Sequence, residues 1–268
     1  MKRLVLTLTT AALLAGCATT TSPTGRRQAT GAVSQAQLQQ MGEQAFAEAK
    51  AKQTVSRDAK ANAYVRCVVN ALVAQLPAEQ RAIAWEVALF ADDSANAFAL
   101  PGGKVGVNTG IFKVATNQDQ LAAVIAHEIV HVTANHHDER ITRQMGTQVG
   151  LGVLGALVGG AYGEGAGQAV SQIGGIGAQA GFLLPNSRQQ ESEADVVGQQ
   201  LMARAGFNPA EAVSLWRNMQ SASGSRSPQW MSTHPDPSNR INKLAADAPA
   251  LTPLYQQARA AGRSPRCG

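Results

Sequence analysis

Residues 121–131 read Leu-Ala-Ala-Val-Ile-Ala-His-Glu-Ile-Val-His, and this run holds the side chains best suited to chemistry. On a helix, His127 and His131 lie about 40° apart and one turn along the axis. Two imidazoles so placed can reach one zinc ion at ~2.0–2.1 Å. Glu128 projects about 100° around from His127, beside the coordination position that a catalytic zinc leaves open. Zinc lowers the pKa of water toward ~7, and a carboxylate at that place takes the proton as the water attacks a peptide carbonyl. Val124, Ile125, Ala126, Ile129, Val130 and Val132 carry no charge, which implies a packed helix and a shielded site. Asn117 and Asp119 are both available as its N-cap. A chance His-Glu-x-x-His on a surface helix would not need so apolar a setting.

A catalytic zinc takes a third protein ligand. His137 stands where the pattern H-E-x-x-H-x-x-G-x-x-H puts a third histidine, but the glycine that turns the chain back is replaced by Ala134. The helix is therefore expected to continue through residues 135–140, with His136 and His137 at the surface or behind the ligands. Glu191 is the stronger candidate, in Ser-Arg-Gln-Gln-Glu-Ser-Glu-Ala-Asp over residues 187–195. Glu191 and Asp195 share a helix face, so Glu191 can bind the metal while Asp195 accepts an N–H from a ligating histidine. Glu193 points away from that face and reads as a solvated carboxylate near a helix start.

These residues need elements to carry them. Helical periodicity runs over 34–52, with Leu38, Met41, Ala45, Phe46 and Ala49 on one stripe, and again over 57–76 up to Pro77. Residues 85–90 alternate as a strand, and 96–100 and 104–108 flank a Pro-Gly-Gly turn as a hairpin would. From residue 119 onward the pattern is helices joined by short loops. The fold class expected is α+β, mostly helical, with a small antiparallel sheet.

The first residues address the compartment. Lys2 and Arg3 precede an apolar stretch too short to span a bilayer, which ends in Leu-Ala-Gly-Cys at Cys17. Residues 1–16 read as a lipoprotein signal peptide, Cys17 as the lipidated first mature residue, and 17–33, rich in Thr, Ser, Pro and Gly, as a flexible tether. Residues 34–268 make one zinc metallopeptidase domain. Two or three fatty chains are enough for stable anchoring, and Ala18 after the cysteine fits the outer membrane of a Gram-negative cell, facing the periplasm. The net charge of +5 is modest, and no basic run is interleaved with aromatics, which argues against nucleic acid as a partner. In an oxidising compartment Cys67 and Cys267 either pair or leave a buried thiol at Cys67. Residues 144–163 are uncharged and glycine-rich, open to reading as a helical hairpin or flap, a membrane-contacting surface, or a span.

His-Glu-Ile-Val-His, then Ser-Arg-Gln-Gln-Glu-Ser-Glu-Ala-Asp, then Ser-Thr-His-Pro over 232–235 with Arg240, together resemble the HtpX and CaaX-prenyl-protease family of zinc peptidases. The likeness covers about residues 35–246 and leans to the periplasmic LoiP/BepA lipoprotein-type group. It implies a zincin-like (gluzincin) fold, one Zn2+ per chain on His127, His131 and Glu191, Glu128 as catalytic base, and quality control of envelope proteins. The implied partners are unfolded or misassembled envelope substrates, the membrane through the lipid on Cys17, and an outer-membrane assembly partner. It also gives Asn96, Ala97 and Phe98 a role as an edge strand that pairs with an extended substrate. His234 would either stabilise the oxyanion or fill the open zinc position and keep the enzyme latent. Arg240 would orient that loop or bind a carboxylate. The competing function class is a lipid-anchored chaperone or assembly factor with a structural zinc. An intact Glu128 favours the peptidase, because a structural site needs no base.

Overall fold

The computed structural model describes residues 18–159, 186–222, 229–234 and 240–268. Residues 1–17, read above as a signal peptide and lipidated cysteine, and residues 160–185 lie outside the described residues. The described residues begin with a two-stranded antiparallel hairpin, β1 (Ala18–Thr21) and β2 (Arg27–Thr30). Two helices follow, α1 (Gln35–Lys52) and α2 (Ala59–Val73), then the single turn α3 (Ala78–Arg81). A three-stranded sheet comes next, from β3 (Glu86–Phe90), β4 (Ala97–Leu100) and β5 (Lys104–Asn108). The rest is helical: α4 (Gln118–Thr133), α5 (His136–Gly159), α6 (Arg188–Ala205), α7 (Glu211–Ala222), α8 (Gln229–Thr233) and α9 (Arg240–Ala260). This is the mostly helical α+β architecture that the periodicity implies.

Local chemistry sets the helix starts. Ser34 caps α1 in a reciprocal box with Gln37, and Ser187 does the same for α6 with Gln190. Asn117 caps α4 by accepting from Gln120 N, while Asp119 instead accepts from the Asn208 backbone at 3.0 Å. Residues 120–131 of α4 are all buried, so this helix runs through the core, packed on α2, α6, α7 and β4. A helix apolar on every side has nowhere else to go. Gly198 lets α6 come close: a Cβ there would meet His127 N at 3.2 Å.

Three expectations change. The sheet is mixed: β4 and β5 form the expected hairpin, but β3 lies parallel on the other edge of β5 in the order β3-β5-β4. The Pro-Gly-Gly turn dictates only the β4–β5 pairing, and the longer 91–96 connection brings β3 in with the other polarity. Second, residues 18–30 are no flexible tether. The hairpin docks on the α4–α5 junction, where the Gln28 amide donates to Ala134 O at 2.9 Å and the Gly31 N–H donates to Asp138 at 2.9 Å. Small polar residues read as linker because their partners lie more than a hundred residues away. Third, the chain does break between residues 133 and 136. Asn135 takes φ 56°, a left-handed conformation that asparagine tolerates better than most side chains, and α5 starts afresh at His136.

Residues 144–159 belong to α5, and among the described residues no helix is long and apolar enough to cross a membrane. Cys67 on α2 and Cys267 are disulfide-bonded across 200 residues of sequence. Beside them Cys267 N donates to Gln118 Oε1 at 2.9 Å, and the Gln118 amide donates to Pro265 O at 3.0 Å, which ties the C-terminal segment to the first turn of α4. Reducing this bond removes a cross-link from the unfolded chain. Chemical-denaturation curves with and without reductant should therefore differ by about 2–5 kcal/mol. Superimposable curves would show that the bond adds nothing to stability.

Candidate metal centre

Helix α4 presents His127, Glu128 and His131, all buried, and α6 presents Glu191 opposite them, wholly without exposure. His127 Nε2 and His131 Nε2 lie 3.0 Å apart. The Glu191 oxygens stand 3.3 Å from the first and 3.4 Å from the second. Short-loop residue His234, directly after α8, joins them: one ligand-capable atom from each of His127, His131, Glu191 and His234 lies within 4.8 Å of the others.

The donor set fits a metal ion. Neighbouring ligands on a tetrahedron of ~2.0–2.1 Å bonds sit about 3.3 Å apart, close to the separations here. Glu191 Oε1 is buried and accepts no hydrogen bond, a state that is costly unless a cation answers it. The charges agree. Burial acts to lower His127, yet Glu191 and Asp195 outweigh it and push the imidazole up to about 9. Burial dominates at His131, which falls well below its ordinary value. Burial also acts to raise Glu191, but the imidazoles of His234, His127 and His131 hold it well below the usual carboxylate range. The carboxylates thus favour positive charge beside His127, while His131 stays neutral, the form in which an imidazole binds a metal.

The surrounding contacts orient the ligands. Asp195 Oδ1 stands 3.0 Å from His127 Nδ1, on the face of α6 that also carries Glu191. Arg240, at the start of α9, donates to Glu191 Oε2 at 2.8 Å and also to Asp195, so it binds two carboxylates. Its guanidinium lies over the Trp216 ring at 3.9 Å from the centroid. Trp230 on α8, unremarked in the sequence, donates its indole N–H to Glu128 Oε1 at 2.6 Å and stacks on His234 at 4.7 Å. Burial pushes Glu128 up, but His234, His127 and this indole outweigh it and leave the carboxyl lowered. The signal available for Trp230 was its place four residues before His234, one helical turn.

Other sequence candidates fall elsewhere. His137 donates from Nε2 to Ala99 O at 2.9 Å, and its Nδ1 accepts from Arg140, so it faces β4 and not the ligand set. His136 is buried behind His131, their Nδ1 atoms 2.9 Å apart. Glu193 is not solvated: it is 3% exposed and bonded to Arg26, Thr24 and His136. Helical spacing turned it from Glu191 correctly but said nothing of the hairpin on that other side. β4 is the sheet edge on the α4 side. Asn96 lies just before it, its carbonyl accepting from Asn108 N at 2.9 Å. Antiparallel alternation then turns the main-chain groups of Ala97 and Ala99 away from β5, where His137 takes the Ala99 carbonyl, and both residues are buried. Phe98 packs between Phe46 and Phe90.

A buried helix bearing His-Glu-x-x-His, met by a glutamate from a second helix, is the arrangement of a zincin-like metallopeptidase. The chain matches peptidase family M48 over residues 59–248 and belongs to that family. It is similar to the mitochondrial metalloendopeptidase OMA1 of Schizosaccharomyces pombe, 38% identical over 60% of this chain and 45% of that protein. It is 34% identical to OMA1 of Saccharomyces cerevisiae over 65% of this chain and 50% of that protein. It is 32% identical to the beta-barrel assembly-enhancing protease of Escherichia coli, over 63% of this chain and 35% of that protein. The chain thus matches half or less of the length of these relatives.

Glu191→Ala removes the one carboxylate among the four described donors, so bound metal after dialysis should fall to a small fraction of the parent's. His137→Ala should keep near-parent metal, since that ring faces Ala99. Metal analysis giving the reverse pattern would overturn the ligand set.

Proposed function

We propose that this chain is a zinc-dependent endopeptidase, anchored to the outer membrane by lipid on Cys17, that cleaves unfolded or misassembled envelope proteins in the periplasm. The observation that carries the reading is Glu128, a buried carboxylate one residue from His127, held by Trp230 and 3.3 Å from His234 of the donor set. Zinc on His127, His131 and Glu191 would supply a Lewis acid that acidifies water and polarises a peptide carbonyl. Glu128 takes the proton of the attacking water and passes it to the leaving amine. Trp230 keeps that carboxylate in one rotamer. Asp195 and Arg240 hold His127 and Glu191 in place, and the apolar packing of α4 excludes bulk water. An extended substrate would pair with the outer edge of β4 at Ala97 once the packing that covers this residue opens, which gives main-chain affinity with broad tolerance of side chains.

The leader ending at Cys17 supports export and anchoring, although relatives named above include mitochondrial enzymes. The likeness to the Escherichia coli beta-barrel assembly-enhancing protease supports envelope substrates and an outer-membrane assembly partner.

A closed, latent form is favoured by one observation. His234 Nδ1 lies 3.0 Å from Trp230 O and Nε2 lies 3.3 Å from Glu128 Oε1, so an ion that took the place of the Nε2 hydrogen would gain a fourth ligand. A fourth ligand converts an open catalytic geometry into a closed one. His234 is then a gate that substrate or a partner displaces, which also accommodates the chaperone-like reading as the resting state.

Glu128→Gln should keep zinc and fold but lose casein cleavage by several orders of magnitude, as the amide cannot take a proton. Near-parent cleavage by that variant would mean another group is the base. His234→Ala should bind zinc almost as well as the parent and cleave casein faster. A fall of ~10²-fold in turnover at saturating substrate would instead make His234 a stabiliser of the oxyanion.

A further inference from the structure

The two histidines of α4 are steadied by different devices. His127 Nδ1 meets the Asp195 carboxylate directly, and Arg240 answers that carboxylate. His131 Nδ1 faces the Nδ1 of His136 at 2.9 Å instead. On the far side of His136, Nε2 lies 3.3 Å from Glu193 Oε2. Glu193 in turn accepts from Arg26 Nη2 at 3.0 Å and Nε at 3.3 Å, and from the Thr24 backbone and hydroxyl at 3.1 and 2.8 Å. Arg26 also grips Glu139 with both terminal nitrogens, at 2.6 and 2.8 Å. A continuous chain therefore runs from His131 through His136 and Glu193 to the turn between β1 and β2.

Proton accounting along this chain leaves one consistent arrangement. His131 Nε2 faces the other donors and must keep its lone pair to bind a metal, so Nδ1 carries the hydrogen. That hydrogen is donated to His136 Nδ1, which is then an acceptor. His136 consequently carries its own hydrogen on Nε2 and donates it to Glu193. Arg26 and Thr24 keep Glu193 an acceptor only. Each link sets the tautomer of the next, and the last one lies in the hairpin. His136 is fully buried and Glu193 nearly so, and the cleavage chemistry uses neither.

We propose that the β1–β2 hairpin is a positioning element of the metal centre, acting through Arg26, Glu193 and His136 on the ligand atom of His131. It is the counterpart, from the N-terminal end of the fold, of what Arg240 and Asp195 do for His127. The inference rests on the reading of His127, His131 and Glu191 as metal ligands. A hairpin merely stapled to the domain would need no imidazole between its anchor and His131.

The test uses the full chain carrying His136→Phe, Glu193→Gln, Arg26→Ala and Arg26→Lys, with Arg27→Ala, exposed on the same hairpin, as control. Zn2+ affinity is read by competition with a chromophoric chelator, ligand geometry by the visible absorption of Co2+-loaded protein, and stability by thermal unfolding of metal-stripped protein. His136→Phe and Glu193→Gln should weaken Zn2+ about 10–100-fold and alter the Co2+ bands. Arg26→Ala should weaken Zn2+ less, with partial recovery in Arg26→Lys and none lost in Arg27→Ala. Should His136→Phe fail to fold, the isosteric Glu193→Gln and the half-buried Arg26→Ala carry the comparison. Lowered melting of the stripped protein with Zn2+ affinity within twofold of the parent and unchanged Co2+ bands would make the network a staple only and overturn the inference. A parent chain that binds no Zn2+ would instead overturn the metal-centre reading on which it rests.

Discussion

Taking ionised groups out of water is the constraint around which this molecule is arranged. Glu128, Glu191, His127, His131, His234 and Arg240 are all buried within one cluster. An unpaired carboxylate in such surroundings is far too costly to keep, so every charge must be answered by a neighbour of fixed geometry. Arg240 answers Glu191 and Asp195, and the Trp230 indole and His234 answer Glu128. Removing one partner from such a set costs ~3–5 kcal/mol, because the other is left buried and unpaired. That cost explains why α8 and α9 converge on helices far from them in sequence.

The C-terminal segment and the hairpin of residues 18–30 both hold the central helix. The C-terminal segment grips the first turn of α4 through Gln118 and the Cys67–Cys267 bond. The N-terminal hairpin grips the end of α4 through Gln28 and Ala134. The helix that carries His127, Glu128 and His131 is thus held at both ends and packed along its length, which leaves little freedom to the imidazoles. Precise ligand placement favours metal binding because little ordering remains to be done when the ion arrives.

His127, Glu128 and His131 were legible because their relation lies within one helix, where a repeat of 3.6 residues per turn sets which side chains share a face. Glu191 and Asp195 were legible on the same ground, as were the β4–β5 hairpin from its Pro-Gly-Gly turn and the α1 start from Ser34. Periodicity says which residues look the same way, but not what they look at. Trp230, Arg26, His136 and Glu193 take their meaning from partners met only when distant segments pack. A glutamate on the face away from the metal reads as solvated until a hairpin more than 160 residues earlier in the chain covers it. The polarity of β3, the choice between a paired Cys67 and a buried thiol, and the left-handed turn at Asn135 were likewise decided by tertiary structure. Each depends on where a remote segment lies, and local propensity carries no record of that. Local spacing therefore determined the reactive group, and packing determined how its charges and tautomers are held, because buried polar groups are satisfied by neighbours in space.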